Sequence, residues 1–515
     1  AMGSGCPDGS GCDSAQGGFQ KQVYYGADKL VSYKTQSMAG HVDAFKAGRA
    51  MTVAHNSAAS CGSQSLLFKN VATASLYEYT PYIGNSSVSG CGPTGQKNFY
   101  DIFKRYFPET VVSVPKLVAP TPTTQSVTMV GATLSASGAA AANFKPAATS
   151  VTYQWLRGGT SIPGATGSSY TVTAADSGKA LSVRVTGTKS GYASAAGTSK
   201  TVTPKGTVSR LAGSERIATN VAVNTQTMKA GAPLFIATAS DFADALSVGP
   251  AASISGGSLM LTKPGAMSSA SLNLVKARKP SQIYVIGGSG AVSEAVVAQL
   301  KTAAPGVTVT RVSGADRYAT STAILDRFFT SRSVSTVLIA TGRDYPDALT
   351  AAGAGGALKA PVLLVDGQKD QSVAGAAATF LSSKNPGKVV LVGGSGVISS
   401  TLEASLRKSY SGTVRVSGAD RYKTNIAVND YISKNGGAAP TGLWVATGRD
   451  FPDALSAAVP AGVSNQRLVL SNGSCLPKPV VSQWIGATTS QVSTMRLVGG
   501  EGVLTASVHS LAECN

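Results

Sequence analysis

The chain has 515 residues, with 44 Lys plus Arg, 25 Asp plus Glu and a charged fraction of only 13 %. The length predicts about three to five domains, and a hydrophobic content of 43 % excludes bulk disorder. The net charge of +19 is spread thinly, without a Lys/Arg run or aromatic stacking platforms, so we expect no nucleic-acid partner. The sequence contains no stretch long and apolar enough for a transmembrane segment.

The cysteines form an even set, with four near the start and two near the end of the chain. They are Cys6, Cys12, Cys61, Cys91, Cys475 and Cys514. Their spacing matches no C-x-x-C motif and the chain has only 3 His, so we expect no metal and no cofactor. Disulfides are typical of exported proteins, so we expect this protein to be exported. Since the sequence does not start with a signal peptide, we expect that a leader was removed or that the sequence is a fragment. The pair Cys475–Cys514 is expected because these two cysteines are isolated from the rest.

Residues 1–115 contain helical patterns at 19–30, 70–77 and 98–107, which predict a small, disulfide-stapled α-helical unit. Three carboxylates, Glu78, Asp101 and Glu109, are candidates for acid catalysis, but solvated helix ends explain them better. His55 near Cys61 suggests a thiol nucleophile, although a bridged cysteine is the more economical interpretation. We therefore assign no catalytic residue.

Parts of this unit, at 5–24, 72–82 and 95–100, resemble the C-terminal half of lysozyme-like domains in actinobacterial wall proteins. The resemblance implies the disulfides Cys6–Cys12 and Cys61–Cys91. It also implies a catalytic glutamate upstream of the first cysteine pair, before this sequence begins. A peptidoglycan hydrolase therefore stays an alternative, while the chain as given is expected to bind rather than to catalyse.

Residues 116–204 have a Pro-rich entry followed by runs at 151–156 and 181–185 that alternate apolar and polar residues. This pattern resembles a bacterial immunoglobulin-like β-sandwich without the bridging cysteines, and implies that Trp155 is its buried core tryptophan. We expect this domain to be a spacer.

Residues 205–515 contain three copies of three motifs in a constant order. In the second copy, motif 1 is Arg311-Val-Ser-Gly-Ala-Asp-Arg317-Tyr-Ala-Thr320, motif 2 is Ile339-Ala-Thr-Gly-Arg343-Asp-Tyr-Pro-Asp347-Ala-Leu349, and motif 3 is Leu391-Val-Gly-Gly394. Short apolar runs alternate with helix-length segments, which predicts one parallel α/β sheet per repeat. The predicted repeats are 205–308, 309–412 and 413–515.

The three motifs resemble the cell wall binding repeat type 2 family of Gram-positive surface proteins. This resemblance implies a pseudo-threefold arrangement of α/β modules, an extracellular, wall-associated location and anchoring to an anionic, teichoic-acid-like glycopolymer. Peptidoglycan is a further possible partner. Self-assembly into a surface layer or filament is the alternative from a different functional class.

Arginines that recur in every copy could offer forked donors to the phosphate or carboxylate groups of a glycan. The primary candidates are Arg216, Arg317 and Arg421, supported by Arg210, Arg311 and Arg415 in motif 1 and by Arg343 and Arg449 in motif 2. The first copy has Ala239-Ser240 where the other two copies have Gly-Arg, so we expect that one copy does not bind.

Structural roles are the alternative for these residues. Ion pairs could join the arginines to the motif 2 carboxylates Asp244, Asp347 and Asp453. The glycines Gly288, Gly394 and Gly500 of motif 3 could cradle an anion, but a tight turn between strand and helix is favoured.

Overall fold

The computed structural model describes residues 50–54, 63–68, 111–242 and 244–514. The helices predicted for residues 1–115 lie outside this range, as do Glu78, Asp101, Glu109, His55 and the first four cysteines. The described part of this segment is an antiparallel sheet of three strands in the order β1-β2-β3. The strands are β1 (Ala50–Ala54), β2 (Ser63–Phe68) and β3 (Val111–Ser113).

A second sheet forms within residues 150–198 and has the order β6-β5-β8-β9. Its strands are β5 (Ser150–Arg157), β6 (Thr160–Ser161), β8 (Leu181–Thr188) and β9 (Ala195–Thr198), and β4 (Thr133–Ser135) pairs separately with β7 (Ser169–Thr171). Trp155 is fully buried, and its indole Nε1 donates to the carbonyl of Gly167 at 3.0 Å. These strands follow the predicted alternation, while the immunoglobulin-like assignment stays a prediction.

The chain divides into two compact units, and the second contains all three repeats within Val202–Asn515. There, twelve strands form three parallel sheets of four strands each. The first sheet has the order β12-β11-β13-β14, the second β16-β15-β17-β18 and the third β10-β21-β19-β20. Most of the central strand residues are buried on both faces, which explains why the sequence runs are apolar without alternation.

The twelve strands have the following bounds: β10 (Thr207–Leu211), β11 (Leu234–Thr238), β12 (Ser258–Thr262), β13 (Ile283–Ile286), β14 (Val309–Val312), β15 (Thr336–Thr341), β16 (Val362–Val365), β17 (Lys388–Val392), β18 (Thr413–Val416), β19 (Gly442–Thr447), β20 (Arg467–Ser471) and β21 (Thr494–Val498). The helices between and after them are α1 (Arg216–Thr227), α2 (Val248–Ile254), α3 (Ser269–Arg278), α4 (Glu294–Ala303), α5 (Arg317–Phe329), α6 (Pro346–Leu358), α7 (Gly375–Lys384), α8 (Ser400–Ser409), α9 (Arg421–Lys434), α10 (Pro452–Val463) and α11 (Ala506–His509). None of the helices in the described ranges is long and apolar enough to cross a membrane.

The sheets are offset from the sequence repeats. Strand β14 begins the second repeat but completes the first sheet, and β18 begins the third repeat but completes the second sheet. Strand β10 begins the first repeat and completes the third sheet by pairing in parallel with β21, from Thr207 opposite Thr494 to Leu211 opposite Val498. The first and last repeats are therefore joined, and the three sheets form a closed ring.

Helices α2, α6 and α10 pack against one another in pairs, and we call this group the helix triangle. Small residues allow the close approach. A Cβ atom added to Gly356 would lie 2.5 Å from Cα of Gly462 and 2.9 Å from Oγ of Ser253. These three residues occupy equivalent positions in the three repeats, so the helices are related by an approximate threefold axis.

The end of the chain is attached to the third repeat. Cys475 and Cys514 form a disulfide with their Cα atoms 5.0 Å apart. Next to it, the backbone N–H of Leu476 donates to the carbonyl of Ala512, and that of Cys514 donates to the carbonyl of Leu476.

Candidate functional site

All three motifs lie at the carboxyl ends of the parallel strands. Motif 2 continues from β11, β15 and β19 into the loops before the helix triangle, and motif 3 provides the turns after β13, β17 and β21. Motif 1 begins in the last two residues of β10, β14 and β18 and extends to the start of the helix that follows each strand. In open α/β sheets, this edge is the usual place for ligand binding.

Three aromatic rings meet where the motif 2 loops converge. The centroids of Phe242 and Tyr345 are 5.6 Å apart, those of Phe242 and Phe451 are 5.8 Å apart, and those of Tyr345 and Phe451 are 6.1 Å apart. Sequence analysis missed these residues, although an aromatic side chain precedes the motif 2 aspartate by two positions in every copy. One ring from each repeat thus contributes to a single cluster.

The second arginine of motif 1 lies over an aromatic ring of a different repeat in each of the three copies. Arg317 lies over Phe242 at 5.5 Å, Arg421 over Tyr345 at 5.6 Å and Arg216 over Phe451 at 5.7 Å. We call these six residues the arginine–aromatic ring. Cation–π contacts of this geometry orient the guanidinium groups as well as stabilising them.

One nitrogen of each of these guanidinium groups is fixed by the main chain. Nη1 of Arg216, Arg317 and Arg421 donates to the carbonyls of Ala239, Gly342 and Gly448 at 3.1, 2.8 and 2.8 Å, respectively. Arg421 also contacts the hydroxyl of Tyr345 at 3.3 Å, and Arg216 forms an ion pair with Asp450 at 3.3 Å. For Arg317, the bond to Gly342 is the one side-chain hydrogen bond among the described residues, so its remaining donors are available.

The motif 2 carboxylates pack against the motif 3 turns of their own sheets. A Cβ atom on Gly287, Gly393 or Gly499 would lie only 2.4 to 2.5 Å from an oxygen of the aspartate, which is Asp244, Asp347 or Asp453, respectively. These glycines also have positive φ angles of 95°, 123° and 120°. The first position of each Gly-Gly pair therefore requires glycine, because a side chain there would be strained and would collide with the aspartate. At the predicted positions Gly288, Gly394 and Gly500, an added Cβ would meet nothing within 4 Å.

Burial raises the pKa of Asp347 and of Asp453 to about 6. The neighbouring carboxylates Asp344 and Asp450 raise the same two pKa values further, whereas Arg421 and Arg216 oppose the shift. Burial also raises the pKa of Asp244, with Arg317 acting in the opposite direction. Each arginine thus lies close enough to a half-buried carboxyl of another repeat to oppose the rise in its pKa. Protonation of these carboxyls makes the site more positive as the pH falls.

The other motif 1 arginines bind the motif 3 turns. Arg311 Nη1 donates to the carbonyl of Gly287 at 2.7 Å, Arg415 Nη1 to that of Gly393 at 2.8 Å, and Arg210 Nη1 to that of Gly499 at 2.8 Å. Arg311 and Arg415 also pair with carboxylates on helices α4 and α8, Glu294 at 2.7 Å and Glu403 at 2.7 Å, respectively. The forks of Arg311 and Arg415 are largely occupied within the fold, whereas Nη2 of Arg210 is buried without a hydrogen-bond partner among the described residues.

The motif 2 arginines lie near the rim of the same edge. Arg343 forms a two-pronged ion pair with Asp366, and the exposed Arg449 offers its carbonyl to the hydroxyl of Tyr345 at 2.6 Å. Within the described residues, no group of three or more His, Cys, Asp or Glu side chains could hold a metal ion.

Comparisons with known proteins agree with this architecture. The family described as cell wall binding domain 2 matches residues 210–297, 311–403 and 415–509, which together exceed half of the chain. The structure is similar to that of Cwp6 from Clostridium difficile, with a TM-score of 0.53 and 19 % identity, covering 77 % of this chain and 68 % of that one. Cwp8 from the same organism gives a TM-score of 0.51 and 21 % identity, covering 64 % of this chain and 58 % of that one.

Two curated proteins of Bacillus subtilis (strain 168) are also related in sequence. N-acetylmuramoyl-L-alanine amidase LytC is 27 % identical over 266 residues, which is 52 % of this chain and 50 % of LytC. The amidase enhancer is 24 % identical over 291 residues, which is 55 % of this chain and 38 % of the enhancer. The chain thus spans half or less of the length of these curated relatives.

Proposed function

Since the chain belongs to the cell wall binding domain 2 family and is an extracellular, cell-wall-associated protein, we propose that its arginine–aromatic ring binds an anionic wall glycopolymer. The observation that carries this proposal is the convergence of Arg216, Arg317 and Arg421 on one aromatic cluster.

The electrostatics of the helix triangle support an anionic ligand. Helices α6 and α10 begin at Pro346 and Pro452, directly after Tyr345 and Phe451 of the ring. The positive ends of their dipoles therefore lie at the same end of the triangle as the three guanidinium groups. Forked arginine donors suit the phosphate or carboxylate groups of a polymer.

Among the arginines, the ring members are the better ligands for a polymer. Arg311 and Arg415 already donate to the carbonyls of the motif 3 turns and pair with Glu294 and Glu403. We therefore assign them a structural role, and assign binding to Arg317 and its two equivalents. Teichoic-acid-like polymer is the ligand class we favour. Peptidoglycan hydrolysis by the N-terminal segment and self-assembly into a surface layer stay predictions.

Cosedimentation of the purified chain with Gram-positive cell walls tests the proposal. Intact walls are compared with walls stripped of their anionic polymers, each at low and high salt. We expect binding to intact walls that weakens with salt, because bound polyanion releases counterions, and loss of binding on stripping. Equal binding to stripped walls would overturn the proposed ligand and point to peptidoglycan.

A set of two triple variants tests the assignment to the ring. R216Q/R317Q/R421Q removes three positive charges at the ring, and K276Q/K301Q/K408Q removes three from exposed positions on helices α3, α4 and α8. We expect the ring variant to bind at least tenfold more weakly with a shallower salt dependence, and the lysine variant to bind nearly as wild type. Equal losses in the two variants would show that net charge alone drives binding.

A further inference from the structure

The closed ring contains three equivalent junctions between a sheet and the helix that follows its fourth strand. At each junction, one helix residue faces one residue from each of the two central strands. The three sets are Phe328 with Phe235 and Tyr284, Ile432 with Leu338 and Val390, and Thr227 with Trp444 and Arg496. We call the third set the closing junction, because α1 of the first repeat packs there beside the sheet of the third repeat.

The first two junctions are filled by apolar side chains. Phe328 lies 5.2 Å from Phe235 and 4.8 Å from Tyr284, measured between ring centroids. At the second junction, Ile432, Leu338 and Val390 are all buried members of one hydrophobic cluster. The hydroxyl of Tyr284 donates to Oε1 of Gln282 at 2.8 Å, so neither set of three leaves a polar group without a partner.

The closing junction is open. Thr227 is shorter than Phe328 or Ile432, and a cleft of about 270 Å³ is present beside it. Its wall includes Trp444 and Arg496, and the guanidinium of Arg496 lies over the indole at 5.0 Å, where the first junction has a pair of aromatic rings. The symmetry of the fold is thus broken at one junction, where a small helix residue, Thr227, faces the more polar pair Trp444 and Arg496.

Two polar side chains of the cleft, Gln466 and Arg496, keep donors that the fold does not use. The side-chain oxygen of Gln466 accepts from Trp444 Nε1 at 2.8 Å and from Arg496 Nη1 at 3.3 Å, which fixes the amide and leaves its NH₂ group available. Nε and Nη2 of Arg496 have no hydrogen-bond partner among the described residues. The lining also includes Lys229 and Asn224 but no carboxylate, so its charge favours an anion.

We propose that the cleft at the closing junction binds an acidic sugar unit, with a carboxylate or phosphate on Arg496 and a hydroxyl group on the free amide NH₂ of Gln466. The volume is slightly below the roughly 300 to 1,000 Å³ of pockets for drug-sized ligands, which suits a single sugar. Such a group could come from a wall glycan or from a free small molecule. This proposal does not depend on the arginine–aromatic ring.

Titration of the full chain with glucuronate, glucose 1-phosphate and glucose tests the proposal, with Trp fluorescence and ligand-detected NMR as readouts. We expect saturable binding of at least one acidic sugar and at least tenfold weaker binding of glucose. T227F reproduces the filled first junction, and R496Q removes the cation. Both variants should weaken binding of the acidic sugar at least tenfold, whereas T227S and the lysine variant K276Q/K301Q/K408Q should bind as wild type.

Three results would overturn the proposal: no saturable binding of either acidic sugar by the wild type, unchanged binding by T227F, or unchanged binding by R496Q. Circular dichroism melts identify variants that fail to fold. If T227F fails to fold, R496Q decides the question. Loss of acidic-sugar binding in the ring variant as well would assign the sugar to the arginine–aromatic ring instead. Displacement of the bound acidic sugar by wall-polymer fragments would identify a wall glycan as the source of the ligand. No displacement would identify a free small molecule.

Discussion

Arg317 begins a helix of the second repeat, yet its guanidinium lies 5.5 Å from the ring centroid of Phe242 in the first repeat. The same relationship joins the third repeat to the second and the first to the third. Each binding candidate is therefore oriented by a neighbouring repeat, so the proposed site exists only when the three repeats are assembled.

The contact between Arg317 and Phe242 predicts energetic coupling. We expect a double-mutant cycle of R317M and F242L to give a coupling energy of about 1 kcal/mol in the free energy of unfolding. Urea denaturation of the wild type, both single variants and the double variant measures it. Additive effects within error would show that the two side chains are neighbours without interaction.

The contacts of Arg415 predict that its replacement lowers stability more than the loss of the Arg317–Phe242 contact does. Its guanidinium donates to the carbonyls of Gly393 at 2.8 Å and Ile398 at 2.9 Å and pairs with the half-buried Glu403. We expect R415M to lower the free energy of unfolding by about 2 to 4 kcal/mol, because it leaves Oε2 of Glu403 and two carbonyls without their donor. R407M is the control, since Arg407 is more exposed and should cost about 0.5 kcal/mol. A similar loss in both variants would contradict the structural role of Arg415.

The aspartates of motif 2 predict a dependence of stability on pH. Burial raises the pKa of Asp347 and Asp453 to about 6, so the folded chain binds these protons more tightly than the unfolded chain does. Their contribution to stability is therefore greatest below about pH 4 and is lost as the pH rises through 6, by roughly 1 to 3 kcal/mol for each carboxyl.

The difference between the wild type and D347N/D453N isolates this contribution from that of other carboxylates. We expect the variant to gain stability relative to the wild type as the pH rises from 4 to 7, in urea denaturation at each pH. A constant difference across this range would mean that the two pKa values are not raised.

Packing at the helix triangle predicts that Gly356 is intolerant of a side chain. A Cβ atom there would lie 2.5 Å from Cα of Gly462, so the G356A variant forces two helices apart. We expect a loss of about 1 to 3 kcal/mol in the free energy of unfolding. G394A is the matched control, because a Cβ on Gly394 meets no atom within 4 Å. Comparable thermal midpoints for the two variants would contradict the close packing.

The disulfide between Cys475 and Cys514 predicts a moderate stabilisation. It closes a loop with a sequence separation of 39, which corresponds to about 3 to 4 kcal/mol on the chain-entropy model. We expect C475S/C514S to lower the free energy of unfolding by this order, measured by urea denaturation under non-reducing conditions. An unchanged midpoint would show that the tail is held by its backbone hydrogen bonds alone.

The sequence predicted the parallel α/β modules and the recurrence of their key residues, because buried strands and motifs repeat locally along the chain. It did not predict which sheet β10, β14 and β18 would join. Pairing between distant strands depends on the assembled fold, and one repeat in isolation gives no signal for it. The roles of Arg311 and Arg317 could not be separated for the same reason, since both recur in every copy and only their neighbours in space differ.

The pairing of β10 with β21 also limits how this architecture can change. A repeat added to or lost from the closed ring would leave one sheet without its fourth strand and expose an unpaired edge. The helix triangle would at the same time lose or gain a member that its small residues do not fit. Shortening or lengthening the chain by a single repeat is therefore disfavoured, and a chain that needs stronger attachment would have to acquire a second complete set of three.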